Sequence, residues 1–311
     1  MPRQESAGKG RKTVGVFVSQ VGRVWGLDYM SAITNAAETH DINLICFVGG
    51  KPTAITTPGQ LLPSYGLYDL AHTADLAGII LSADLGHGIP GEETRQFAQS
   101  FGKTPIVATA LDVENIPSLI VDSVGGMRML IRHLIETHSY KRIAFIRGPK
   151  GQVEAEQRLF AYREELKAHG IEYDDRLVVQ GDYSPESGRV AIRKLMESRK
   201  VKFDAVAAAN DRMAFGAMET LRSYGFNIPS DVAVTGFDDV REARSLGVPL
   251  TTVRQPFYDL GKNTFETLLK VINGDSEPTL TTIPTGVVVR WSCGCQPRFI
   301  QQAQISREEV A

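Results

Sequence analysis

Residues 206–239 read VAAANDRMAFGAMETLRSYGFNIPSDVAVTGFDD. An apolar run ends in Ala208-Ala209, and Asn210-Asp211 then open a helix whose apolar positions include Met213, Ala214, Ala217, Met218 and Leu221. Gly225 stops that helix, and Pro229-Ser230-Asp231 turns the chain into a second apolar run, Val232 to Val234, which ends in Gly236-Phe237-Asp238-Asp239. A strand, a helix and a second strand in this order predict a parallel β-α-β unit, with polar groups delivered at the C-termini of both strands. Ligands of open α/β sheets bind outside that edge. Carboxylates and an amide, with no Gly-rich phosphate loop beside them, suit a hydroxyl-bearing or basic small molecule.

The same alternation extends in both directions. Apolar runs at Val14–Val18, Leu44–Val48, Leu76–Leu81 and Ile106–Ala108 are separated by helical patterns at Met30–His40 and Thr94–Phe101. A second series follows: Val124–Thr137 (helix), Ile143–Ile146, Arg158–His169 (helix), Leu177–Val179, Gly188–Arg199 (helix) and Ala205–Ala208. Beyond the quoted stretch, Pro249–Pro256 reads as extended, Phe257–Ile272 as helix and Thr281–Trp291 as one late strand. Short apolar runs alternating with helix-length segments predict mostly parallel sheets. So many units fit two sheets better than one, with a first break at Leu119–Gly126.

Several segments resemble the effector-binding domain of the lactose/galactose-repressor family of bacterial regulators. They are AANDRMAFGAM (208–218), IPSDVAVTGFDD (228–239), PLTTVRQP (249–256), HLIETHSYKRIAFIRGP (133–149) and VVRWSC (288–293). The resemblance implies a periplasmic-binding-protein-like α/β fold. It has two similar lobes, each a parallel sheet flanked by helices, joined by three crossings near 122, 251 and 280 and enclosing a ligand cleft. The boundaries expected are a tail at 1–12, one lobe at 13–122 plus 252–279, the other at 123–251 plus 280–296, and a tail or connecting helix at 297–311. NLICFVGG (43–50) and RWSCGC (290–295) resemble the subset of the family fused to signalling output domains. The function implied is a sensor domain that signals by lobe closure, as a homodimer. A repressor core without its DNA-binding head and a transport-type binding protein are the rival readings.

The candidate ligand residues each have a plainer structural reading. Asp238 can accept two hydroxyl hydrogen bonds, or with Asp239 cap the next helix. Asn210 can donate and accept toward a polyol, or cap the helix itself, with Asp211 as the other candidate cap. Both positions match ligand contacts in the family. Tyr183, in GDYSPESG, matches a frequent aromatic that can stack on a sugar or purine, or is a half-buried loop ring. Asp122 matches an acidic ligand or hinge position, or caps the helix from Val124. Ser19, Gln20 and Trp25 follow the first strand, with Trp25 either an aromatic platform or core; Tyr65 and Tyr68 are weaker candidates. Many sugar-responsive relatives carry an arginine two positions before an Arg-Leu step. In KGQVEAEQRLFAYR (150–163) that position is Glu156, while Arg158 is retained. A carboxylate cannot donate as a guanidinium does, so Glu156, with Glu154, points toward an amine-bearing ligand or faces solvent.

Other classes are disfavoured. The 311 residues are 42% hydrophobic and 23% charged with a net charge of -2, which gives no bulk attraction to nucleic acid. Lys9, Arg11 and Lys12 form the only basic cluster. About twelve residues precede the first strand, too few for a helix-turn-helix module, so direct DNA binding by this chain is not expected. No apolar run is long enough to span a membrane, and MPRQESAGKGRK lacks a signal-peptide core; the reading is cytoplasmic. No nucleophile, zinc-protease or nucleotide motif is present, so no enzyme activity and no cofactor are expected. Of the three cysteines, Cys46 reads as a buried thiol. Cys293 and Cys295 are spaced C-x-C, and with no further cysteine or adjacent histidine no zinc site is expected. His133 and His138 read as helix-end residues. Ser306 to Glu309 reads as a capping box at the start of a further helix.

Overall fold

The computed structural model describes residues 11–19, 24–49, 65–82, 85, 91–275 and 278–296. The chain divides into two compact units. One runs up to Val121 and includes Pro256–Ile283; the other comprises Asp122–Gln255 and the chain from Pro284 onward.

The first unit holds a six-stranded sheet of β1 (Thr13–Val18), β2 (Asn43–Val48), β3 (Gly78–Ser82), β4 (Ile106–Thr109), β5 (Ser118–Val121) and β11 (Leu280–Ile283). Its order is β11-β5-β4-β3-β1-β2, and every pairing is parallel. Both faces are covered, as the two-residue period of a strand requires. Val14, Val16 and Val18 of β1 pack with Ile80, Leu119, Phe265 and Leu268 on one face. Phe17 of the same strand joins Ile79, Leu81, Tyr68 and Phe101 on the other. The two clusters explain why these strands read as continuous apolar runs rather than alternating ones.

The second unit repeats the design with β6 (Ile143–Arg147), β7 (Val178–Gln180), β8 (Ala205–Ala208), β9 (Ala233–Asp238), β10 (Thr251–Arg254) and β12 (Gly286–Val288). Its order is β12-β10-β9-β8-β6-β7. The pairings are parallel except for β12, which runs antiparallel to β10. Counting along each unit, both sheets follow the same strand order, and in both the order reverses beside the unit's first strand. In the second sheet that reversal lies between β6 and β8.

The expected pair of α/β lobes is therefore present, but their boundaries differ from those read in the sequence. Residues 252–255 belong with the second unit because β10 hydrogen-bonds to β9, Thr252 opposite Gly236. Thr281–Trp291 is not one strand. Leu280–Ile283 pairs with β5 in the first sheet, and Gly286–Val288 pairs with β10 in the second; the chain passes from one unit to the other between them. The helix expected over Gly188–Arg199 begins earlier, at Pro185, behind the cap Ser184, and ends in a π turn at Lys194–Ser198. Cys46 is exposed, not buried, because β2 is the edge strand of its sheet.

Candidate functional site

The C-terminal edge of the second sheet gathers the polar groups. β6 ends in Arg147, β7 in Gln180, β9 in Asp238 and β10 in Arg254. Asn210 stands between β8 and the helix Asp211–Ser223. The side of this edge around β6 and β8 is the switch point, where crevices form in open α/β sheets.

Asp238 has a backbone φ of +124° and Asp239 of +57°. Two successive non-glycine residues in this region carry strain, of a kind that concentrates at binding sites. The twist sends the two carboxylates to different surroundings. Asp239 is enclosed by three arginines: Arg254 donates from Nε at 2.6 Å, Arg290 at 2.5 Å and Arg244 at 3.3 Å. Burial opposes its ionisation, but hydrogen bonds from Arg290 and Arg254 hold the carboxyl below the usual range. Asp238 accepts one hydrogen bond, from Gln255 at 2.6 Å. Burial pushes its pKa up to about 6, against the Arg158 charge and the Gln255 bond, which pull it down. Neither aspartate caps the turn that follows, which begins behind Val240 with no side-chain cap.

Asp211 explains how this edge keeps its shape. Its side chain, fully buried, accepts from the Val240 N–H at 2.9 Å and from the Thr252 hydroxyl at 2.5 Å. It thereby ties the helix start to β10 and to the turn after β9. Burial holds its carboxyl well above the ordinary range. Gly236 makes the close approach possible: a Cβ there would lie 2.2 Å from Asp211 Oδ1.

Asn210, rather than Asp211, is the helix cap. Its Oδ1 accepts from the Met213 N–H at 2.9 Å, and its amide donates to the Tyr183 carbonyl at 3.2 Å. Tyr183 has a φ of +70°. Its ring lies on Gly148, where a Cβ would come within 2.6 Å of the ring atoms, and burial pushes its hydroxyl up to about 12. Arg158 is buried, donates to the Ala209 carbonyl at 2.6 Å and sits 3.7 Å above the Phe237 ring. It is a charge fixed beneath β8 and β9, near Asp238.

Glu156 is not an unpaired carboxylate. It bonds to the guanidinium of Arg147 and accepts from the Gly151 N–H at 2.9 Å. The Gly151 bond lowers its pKa most; burial opposes that, and the charge and hydrogen bond of Arg147 lower it further. The arginine missing from position 156 is thus met by one at the end of β6. Arg147 and Gln255 were not singled out in the sequence, although the strand-end placement that picked Asp238 applies equally to both.

Asp122 caps the helix Ser123–His138, accepting from the Gly125 N–H at 2.7 Å. Ser19 follows β1 and is half-buried. Trp25 lies in the helix Val24–Thr39, and its side chain is outside the described residues, as are Gln20 and the side chain of Tyr65. Tyr68 is core: its hydroxyl donates to the Val18 carbonyl at 3.0 Å and its ring stacks on Phe17. One premise of the sequence reading does not hold in the fold. The cysteines of the C-x-C pair do have histidine neighbours, since His133, His138, Cys293 and Cys295 meet with ligand atoms within 4.8 Å of one another.

The profile of the periplasmic binding protein-like domain matches residues 131–293. HTH-type transcriptional repressor PurR of Vibrio atlanticus is 30% identical over 265 residues, which cover 84% of this chain and 75% of that protein. The chain is a periplasmic-binding-protein-like domain of the LacI family. HTH-type transcriptional regulator CelR of Thermobifida fusca is 40% identical over 180 residues, 58% of this chain, and the match spans 52% of that relative's length. A solved CelR–cellobiose complex aligns with a TM-score of 0.76 at 30% identity, covering 91% of this chain and 85% of that one. These relatives of the LacI-family domain are transcriptional regulators. Among the described residues no helix is long and apolar enough to cross a membrane.

Proposed function

We propose that this LacI-family domain is the ligand-sensing part of a bacterial regulator and that it takes a neutral, hydroxyl-rich molecule of the sugar class at the C-terminal edge of its second sheet. The observation that carries the reading is Asp238: a strained, half-buried carboxylate at a strand end with one protein hydrogen bond and a fixed guanidinium nearby. A carboxylate has capacity for further donors, and vicinal sugar hydroxyls supply them in pairs. Asn210, after β8, and Tyr183, after β7, follow neighbouring strand ends of the same sheet, and the Asp238 charge acts on the Tyr183 hydroxyl, which supports the reading. The amine-bearing alternative rested on Glu156 together with Glu154, and the pairing of Glu156 with Arg147 weakens it. The relative solved with cellobiose makes β-linked disaccharides the first probes.

Ser19, Gln20 and Trp25, from the first unit, and Asp122 remain proposed contacts of the same ligand. Ligand-linked closure of the two lobes, a homodimer, a cytoplasmic location and a covalently attached output or DNA-binding domain complete the proposal. Closure requires that the ligand favour one state: a hundredfold preference shifts the equilibrium by about 2.7 kcal/mol. Thermal-shift and calorimetric screening with neutral disaccharides and their amino-sugar counterparts tests the reading. A neutral sugar that binds and raises the melting temperature is expected. Binding confined to amine-bearing compounds would overturn the ligand class. Small-angle scattering at saturation is expected to show a more compact dimer; an unchanged monomeric profile rejects both closure and dimerisation.

A further inference from the structure

We infer that His133, His138, Cys293 and Cys295 form a structural zinc site in the second unit. The distances carry the argument. His133 Nε2 lies 3.4 Å from Cys293 Sγ and 3.6 Å from Cys295 Sγ, and His138 Nε2 lies 3.4 Å from Cys295 Sγ. Zinc bonds of about 2.3 Å to sulfur and about 2.0–2.1 Å to nitrogen, at tetrahedral angles, place neighbouring ligand atoms roughly 3.6 Å apart. Three of the six separations therefore already match that spacing, and all four ligand atoms lie within 4.8 Å of one another. The imidazole rings cross at 85° with centroids 5.1 Å apart, so both can present Nε2 to one point without stacking.

The surroundings hold the ligands in place. Nδ1 of His133 lies 3.2 Å from the Thr137 hydroxyl, which leaves Nε2 as the nitrogen for metal; such outer bonds orient ligating histidines. His138 is stacked on Tyr140, whose hydroxyl donates to the Cys293 carbonyl at 3.1 Å. Gly294 separates the cysteines at φ +109°, and a Cβ there would sit 3.2 Å from His138 and from the Tyr140 hydroxyl. Glycine is what allows the C-x-C turn to close over the rings. Cys293 is fully buried, and Cys295 and both histidines are half-buried, as suits a closed four-ligand site. Two thiols, two imidazoles and no carboxylate form a donor set that selects zinc over magnesium or calcium. Binding converts both thiols to thiolates, releasing two protons to solvent, and gives a site of zero net charge. It would pin the chain at 290–295 to the C-terminal end of the helix Ser123–His138, independently of any ligand at the sheet edge.

The test is metal content and metal exchange in the whole chain under a phosphine reductant, which keeps the thiols reduced. Zinc added and then dialysed should leave about one ion per chain. Cobalt in its place should give the sulfur-to-metal charge-transfer band and strong visible absorption of a tetrahedral thiolate site. A chelator should lower the melting temperature of the wild type. Cys295→Ser and His138→Gln should each lower retained zinc at least tenfold and make the melting temperature insensitive to chelator, while Cys46→Ser, on the other unit, retains the full equivalent. Their metal-free melting temperatures, compared with metal-free wild type, show whether they fold. Wild type that retains no zinc and gives no tetrahedral cobalt spectrum overturns the site. So does equal zinc retention by the folded Cys295→Ser, His138→Gln double variant.

Discussion

The end of β9 and the chain at 290–295 treat their polar groups in opposite ways. At the first, Asp238 holds an acid whose pKa has risen to about 6, on a strained backbone, with one protein donor. At the second, Arg290 reaches from the C-terminal segment to Asp239, the next residue, and completes a three-arginine enclosure. Adjacent aspartates are thus divided between a carboxylate with one protein donor and one enclosed by three arginines. A site that must receive a ligand keeps bonding capacity open at a cost in stability, whereas a residue that holds the unit together gives up all of its capacity to protein.

Asp239→Ala is the largest break available to this comparison. Removing one partner of a buried ion pair strands the other charge, and a loss of about 3–5 kcal/mol is expected in urea unfolding. Asp211→Ala comes next: it leaves the Val240 N–H and the Thr252 hydroxyl buried without an acceptor, for a loss of about 2–4 kcal/mol. Asp238→Asn should move the other way. A carboxylate raised by about two pKa units is worth up to about 3 kcal/mol against folding when ionised; discounted for the part of the residue that stays exposed, a gain of about 1–2 kcal/mol is expected at neutral pH.

The pH dependence sharpens this further. The Asp238 pKa is higher in the folded chain than in the unfolded one, so its stabilising contribution is fully present below the ordinary carboxyl range. It is lost as pH rises through about 6. The stability advantage of Asp238→Asn should therefore grow between pH 4 and 6 and level off above. The smallest effect is expected at Glu156. Its side chain is 45% exposed, and Glu156→Gln should change stability by no more than about 1 kcal/mol.

Much of this was legible in the sequence. The continuous apolar run of β1 and the strand–helix–strand pattern around Asn210 marked the layers, because a strand buried on both faces is apolar without alternation. Asp238 does end β9, as the apolar run before it indicated. What could not be read is what depends on pairing between distant segments. Thr281–Trp291 is uniformly rich in threonine and valine, and nothing local says that Pro284 and Thr285 separate strands of two sheets. Glu156 is paired with Arg147 of β6, and Asp239 with Arg254 of β10, with Arg290 beyond β12 and with Arg244 five residues on, so a carboxylate that looks available in sequence is already taken. His133 and Cys293 are 160 positions apart, and ligand spacing rules, which count along the chain, have no purchase on a site assembled by folding.

The most direct test of the central claim is calorimetric titration of a neutral disaccharide, cellobiose first, into wild type and Asp238→Asn at pH 7.5, with melting temperatures recorded for both. The account predicts measurable binding to wild type. It predicts a loss of at least about 2 kcal/mol, roughly thirtyfold in affinity, in a variant at least as stable as the parent. Equal affinity in the two proteins, or a variant that binds less only because it is less stable, would contradict it.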